Sequence, residues 1–170
     1  MILSKERKEK LENIYQHYLH NENVLKMKEI PVHRGSNVYL HTFKLVKKVM
    51  KKAVNSRKNL DLENLLEATI LHDYYLYNWR TLKDRPKPHG KHHPLIAAKN
   101  AKRDFDISDK TAQMIKTHMW PLDLFNPPKG KEAWLLNKVD TWVALVECLT
   151  SKSYKKKKAD KYESYISTLF

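Results

Sequence analysis

The chain has 170 residues and a formal charge of +14, from 33 Lys plus Arg against 19 Asp plus Glu. This length predicts a single domain over residues 1–170 that buries a core without covalent staples. One cysteine excludes an intramolecular disulfide. The charged N-terminus and the absence of a long apolar run argue against a signal peptide or a membrane span, so we expect a cytoplasmic protein. The positive charge favours anionic partners such as phosphates or nucleic acid.

Long segments of helical period and only three glycines predict an all-α fold. Irregular connections are predicted over 21–36 and 78–91, where proline and glycine interrupt the period. The first predicted helix runs from the N-cap Ser4 to about His20, the second from Ser36 or Asn37 to about Val54, and the third from Asp61 through His72 and Asp73. A fourth helix is predicted to begin at about Pro94. The remaining predicted helices run from Ser108 to Trp120, from about Lys131 to Thr150, and over a short segment from Tyr162 to Leu169.

Ligand-type residues occur inside these apolar patterns. The apolar segment 66–76 contains the adjacent pair His72 and Asp73, whose burial requires a cation or strong hydrogen bonds. Taken singly, each such residue is more often a hydrogen-bonded core residue. Imidazole and carboxylate together are good ligands for divalent metals, and the further candidates share these apolar faces: His41, His93, His118 and Asp140. The combination indicates a metal site.

Details around this set stay open at the sequence level. Pro94 suits the first turn of a helix, which would place His93 at a helix N-terminus. His89 and His92 lie so close in sequence that either could replace His93 as a ligand. Glu147 lies two helical turns after Asp140, and the sequence leaves open whether it joins the buried stripe or faces solvent. Cys148, within the apolar run 143–149, is expected to be a packed thiol.

The order His41, His72-Asp73, His93, His118 and Asp140 resembles the HD-domain superfamily of metal-dependent phosphohydrolases. The resemblance spans about 34–150 and leaves 151–170 as a basic extension. It implies a compact bundle of about six to seven helices. It also implies that His41, His72, Asp73 and Asp140 hold a first metal, that Asp73 bridges, and that His93 and His118 hold a second. Two departures, Met119 after His118 and the lack of a Gly-Tyr-Pro signature, argue against cyclic dinucleotide cleavage.

The resemblance implies hydrolysis of a phosphomonoester, phosphodiester or phosphoanhydride of a nucleotide-like small molecule, with His72 and Asp73 as catalytic residues. One or two divalent ions (Fe, Mn, Co, Ni, Zn or Mg) would lower the pKa of the attacking water. Arg34 and Lys44 are candidate phosphate-binding residues, and Arg80 and Arg85 are weaker ones. For each of the four, a plain surface charge is the commoner alternative.

Two other functions fit the same residues. Some HD-domain proteins use a mixed-valent di-iron centre to oxygenate a small molecule, and the same six ligands serve both reactions. Alternatively, the metal is structural and the basic surface binds nucleic acid, without catalysis. Iron content, oxygen consumption and phosphate release distinguish these possibilities, whereas the sequence leaves the metal, the substrate and the oligomeric state open.

Overall fold

The computed structural model describes residues 3–32, 36–84 and 86–149. Within these residues the chain forms seven α-helices and a short 3-10 helix, and its only β-pairing is a single bridge between Pro31 and Asn37. The helices are α1 (Lys5–Leu19), α2 (Glu22–Leu25), the 3-10 helix (Lys26–Glu29), α3 (Val38–Val54), α4 (Leu62–Leu71), α5 (His89–Phe105), α6 (Asp109–Thr117) and α7 (Gly130–Leu149). The predicted all-α bundle of six to seven helices is confirmed.

Four helices begin where the sequence predicts a capping side chain. Each cap accepts a hydrogen bond from a backbone amide three residues later, which stabilises a helix start by about 1 kcal/mol. The caps are Ser4, Asn37, Asp61 and Ser108, and the donating amides belong to Arg7, Leu40, Asn64 and Thr111. The polar residues that precede the apolar periods therefore define these helix starts.

The predicted connections are shorter than expected. Part of 21–36 is helical, because the Asn21 side chain accepts from two amides and starts α2. At the other connection, Pro88 is the N-cap of α5, a position where its missing amide hydrogen costs little. Pro94 therefore lies inside α5, and His93 lies in its second turn rather than at its N-terminus.

Helix α4 is the centre of the core. Its leucines are fully buried, with Leu65, Leu66 and Leu71 at 0% exposure, and each such side chain contributes about 1.5–3 kcal/mol by burial. Helices α1, α3, α6 and α7 all pack against α4. As a result, the C-terminal end of α4 is enclosed by other helices, and polar residues placed there are shielded from water.

The last helix buries less than its composition predicts. Of the apolar run 143–149, only Val143 is fully buried, and Cys148 is exposed. The prediction that Cys148 is a packed thiol is therefore wrong. The end of α7 carries apolar residues on several sides, and only one of these sides packs against the core. None of the described helices is both long and apolar enough to cross a membrane. The predicted final helix, the basic extension 151–170 and Arg34 lie outside the described residues.

Candidate metal centre

The six predicted ligands converge on one buried point from five helices. His41 lies in α3, His93 in α5, and Asp140 in the middle of α7. His72 is the C-cap of α4 and Asp73 follows it, and His118 is the C-cap of α6. All six are buried, and the most exposed of them, Asp73, is 8% exposed. Residues that are up to 99 positions apart in sequence thus come into contact.

The end of α4 explains how two adjacent residues reach one site. Neighbouring residues inside a helix point about 100° apart, but α4 ends at Leu71, with His72 as its C-cap. Asp73 therefore lies in a turn rather than in the helix. The side-chain amide of Asn100 holds this turn by donating to the carbonyls of Tyr74 and Tyr75 at 3.1 and 3.3 Å.

Asp73 divides the cluster into two groups of donor atoms. Its Oδ2 lies 3.5 Å from Nε2 of His72, whereas its Oδ1 lies 3.0 Å from Nε2 of His93 and 3.7 Å from Nε2 of His118. The first group continues to His41 and Asp140, whose Nε2 and Oδ1 atoms are 3.0 Å apart. One carboxylate thus lies between two sets of potential ligands, and its bridging role stays a prediction.

Hydrogen bonds at Nδ1 fix the orientation of the histidines. Nδ1 of His72, His93 and His118 lies 2.9, 3.1 and 2.8 Å from the carbonyl oxygens of Thr69, His89 and Ile115. Because a carbonyl only accepts, each Nδ1 carries the proton. In the neutral ring, Nε2 then offers a lone pair to the cluster. Metal-binding histidines are usually held in this way.

Some of these lone pairs have no donor. Nε2 of His72 and Oδ1 of Asp73 are buried and make no hydrogen bond within the described part of the chain. Nε2 of His93 and Nε2 of His118 lie 3.1 Å apart. A buried acceptor without a donor costs about 1–3 kcal/mol, so an arrangement of several such atoms calls for a cation.

The spacing of the donors suits a metal ion. Ligand atoms at about 2.1 Å from one ion lie roughly 3.0–3.4 Å from each other, depending on the coordination geometry. The separations of 3.0, 3.1 and 3.7 Å among Asp73, His93 and His118 are close to this range. Three groups of buried donors lie within 4.8 Å of one another: His41, His72 and Asp73; His72, His118 and Asp140; and Asp73, His93 and His118. These residues fit a divalent metal, and their role as ligands stays a prediction.

The charge states of Asp73 and His118 also suit a metal. Burial raises the pKa of Asp73, but the positive potential of His72 and its neighbours outweighs this and holds that pKa well below its usual value. Burial and the nearby His72 and His93 lower the pKa of His118 to about 4. At neutral pH the aspartate is therefore charged and His118 is neutral, which are the forms that bind metal.

Glu147 belongs to this site, which decides between the two orientations that the sequence leaves open. Its Oε2 lies 2.9 Å from Nδ1 of His41, and its Oε1 accepts from Nζ of Lys44 at 2.6 Å. Burial lowers the pKa of His41, but hydrogen bonds to Asp140 and Glu147 more than offset this and raise it to about 10. A carboxylate behind a histidine orients the ring and increases its basicity as a ligand. The seven-residue step from Asp140 to Glu147, close to two helical turns, is the sequence signal for this position.

A cavity of about 180 Å³ opens beside the cluster. The cluster residues His41, Asp73, His93 and Asp140 form one side, and Val32, Tyr75, Trp79, His89, Gly90, Met119 and Ala144 form the rest. The rings of Trp79, His89 and His93 are stacked in sequence, with centroids 5.2 and 4.6 Å apart. Among the three neighbouring histidines, His93 is the one that contacts Asp73, while His89 lies in the wall.

The predicted phosphate-binding residues have different surroundings. Lys44 is buried and paired with Glu147, so it supports the site from behind His41. Arg80 is exposed beside the cavity, where its Nη2 donates to the Val32 carbonyl at 2.6 Å and its guanidinium lies 5.2 Å from the Trp79 ring. Of the two, only Arg80 is positioned to meet a group that enters the cavity.

Comparisons with known proteins do not assign the chain to a family. Models of protein families, curated proteins and solved structures all yield no match for the chain. The structure itself shows an all-helical fold whose described part holds a buried cluster of histidine and aspartate side chains that could hold a metal ion.

Proposed function

We propose that this chain is a metal-dependent phosphohydrolase of the HD-domain type. The proposed substrate is a phosphomonoester, phosphodiester or phosphoanhydride of a nucleotide-like molecule. The observation that carries the proposal is the shared carboxylate of Asp73, which faces His72 on one side and His93 with His118 on the other. A purely structural metal needs one closed set of ligands, whereas two sets beside a cavity are typical of a catalytic centre.

The protein contributes mainly position to the proposed reaction. Bound ions would acidify the attacking water and neutralise charge on the phosphoryl oxygens. His72 and Asp73 fix the donors at the end of α4, and the Nδ1 bond to Thr69 prevents the His72 ring from rotating. Tyr75 and Trp79 cover one side of the cavity and limit the entry of bulk water.

The wall of the cavity supports a nucleotide-like substrate. A volume of about 180 Å³ accommodates a phosphoryl group but not a whole nucleotide, so the rest of the substrate must extend past the rim. Trp79 and Arg80 lie there and stack against each other. A guanidinium at the rim suits a phosphate oxygen of such a substrate.

One observation favours the di-iron oxygenase as a second candidate. Among the described residues that line the cavity, none is a lysine or an arginine, and Val32, Met119 and Ala144 give it an apolar side. Such a lining suits a small, weakly charged substrate better than a polyphosphate. The same donor set would hold two irons, because imidazole and carboxylate are common iron ligands.

The deciding experiment combines elemental analysis with a turnover screen. The protein is purified without added metal or chelator, its metal content is measured, and nucleotides and generic phosphodiesters are tested with each candidate ion. Hydrolysis that is lost in Asp73→Ala, measured as phosphate from monoesters and anhydrides or as the released alcohol from diesters, supports the hydrolase, and Asp84→Ala, at an exposed position, is the matched control. Two irons with oxygen consumption and no hydrolysis would assign the oxygenase. Metal without turnover in either assay would indicate a binding module.

A further inference from the structure

A basic groove runs along the seam between α3 and α7, away from the metal centre. It consists of two adjoining depressions of about 580 and 570 Å³, which share Lys52, Leu135 and Lys138. We call this surface the α3–α7 groove. Six lysines line it together with Trp134, Leu135 and Trp142.

The lysines of the groove are free of acidic partners. Six lysines line it, all of them exposed, and none forms an ion pair within the part of the chain that the structure describes: Lys48, Lys51, Lys52, Lys58, Lys131 and Lys138. Among the residues that the structure describes, no aspartate or glutamate lines either depression. Elsewhere in the described chain several lysines do pair, as Lys110 does with Asp61 at 2.8 Å. The groove therefore concentrates unneutralised positive charge, which attracts a polyanion.

Aromatic side chains accompany these charges. Trp142 is 60% exposed, an unusual position for the largest side chain. Trp134 is half-buried, packs edge-on against Trp120 at 5.1 Å, and lies 5.6 Å from Nζ of Lys138. Leu135 lies between the two tryptophans and is shared by both depressions. An exposed indole beside lysines provides both a stacking surface and a site for phosphate.

The groove and the metal centre lie on different sides of α7. Lys138 and Trp142 are each two residues from Asp140, a step of about 200° around a helix axis. Asp140 and Ala144 line the cavity beside the cluster, whereas Lys138 and Trp142 line the groove. A ligand in the groove is therefore separate from a substrate at the metal centre.

We infer that the α3–α7 groove binds single-stranded nucleic acid, with the lysines contacting phosphates and Trp142 stacking on a base. Proteins that bind single strands without sequence preference combine a positive groove with exposed aromatic rings. In a double helix the bases are stacked on one another, so Trp142 would find no free base face. A membrane surface would meet a protruding apolar face more readily than a concave one with lysines on both sides.

The test uses fluorescence anisotropy with a short, labelled single-stranded RNA of mixed sequence, between about 50 and 200 mM KCl. If all six lysines contact phosphates, log affinity falls with log salt with a slope of roughly −4, since each contact contributes about −0.7. The Lys52→Glu/Lys138→Glu variant should weaken binding at least tenfold. Trp142→Ala should weaken it about five- to hundredfold.

The matched control is Lys8→Glu/Lys10→Glu, which changes net charge equally at exposed lysines of α1. The inference requires that this control keep near wild-type affinity and that Asp73→Ala do the same. Equal weakening by both double variants would show non-specific attraction and overturn it. So would absence of RNA binding at about 50 mM KCl, or no effect of Trp142→Ala. Preferential binding to phosphatidylserine vesicles, lost in the groove variant, would assign the groove to a membrane instead.

Discussion

Replacing Glu147 with glutamine is the sharpest test of how the candidate metal centre is held together. The substitution keeps the size of the side chain and removes its charge. In the wild type that charge faces Nδ1 of His41 at 2.9 Å and Nζ of Lys44 at 2.6 Å. The side chains of Glu147 and Lys44 are only 10% and 8% exposed, so water screens the pair poorly.

The expected loss of stability in Glu147→Gln follows from the pKa of Glu147. Burial raises it, but the hydrogen bond and charge of His41, followed by those of Lys44, lower it from 4.5 to about 2. A shift of this size corresponds to roughly 3 kcal/mol of interaction with the charged form. We expect Glu147→Gln to lower the free energy of unfolding of the metal-free protein by an amount of this order. Metal affinity at the group containing His41 should fall about 10- to 100-fold, as for other carboxylates behind a ligating histidine.

The assay is a competition titration of metal-free protein against a chromophoric chelator, with circular dichroism to verify the helical fold. Glu63→Gln is the matched control, because Glu63 pairs with Arg7 at 3.5 Å, away from the cluster. Its metal affinity should equal that of the wild type. A folded Glu147→Gln protein that binds metal within twofold of the wild type would refute the supporting role of Glu147.

Three further predictions follow from the cluster. Asp73→Ala should abolish metal binding, because this carboxylate faces His72 on one side and His93 with His118 on the other; metal content equal to wild type, by elemental analysis, would overturn the site. His93→Ala should reduce the content by about one ion, since the donors on His41, His72 and Asp140 remain, and complete loss would contradict two separable groups. The pKa of His41 is raised from 6.5 to about 10 in the folded protein, so the protonated ring stabilises the metal-free fold. This stabilisation is fully present below pH 6.5 and is lost as pH rises through about 10. Urea unfolding of the metal-free protein at increasing pH should show this decline, and His41→Gln should diminish it.

Much of the fold was predictable because the residues that start and form a helix lie close together in the sequence. The caps at Ser4, Asp61 and Ser108 are polar residues placed just before apolar periods, and their hydrogen bonds reach only three residues along the chain. The start of α5 was missed because Pro88 caps it without a side-chain hydrogen bond. Proline in a first turn and proline within a helix look alike in sequence.

The predicted ligands were identifiable because each breaks an apolar pattern. Asp140 lies in the buried stripe of α7, and His41 lies in that of α3. A charged or polar residue at such a position requires a partner, and the sequence alone shows that the requirement exists. The sequence does not show which residue on another helix is the partner.

Only the tertiary structure decided which partners meet. Helical period gives the direction of a side chain relative to its own axis, but the end of α7 carries apolar residues on several sides, so the packed side was not apparent. The structure turns Glu147 toward His41 and leaves Cys148 exposed. It also places Asp73 just past the end of α4, where the turn frees it to face two groups of donors at once. The sequence by itself determined the helices and the candidate ligands, because both depend on local pattern. Their convergence depended on how separate helices pack.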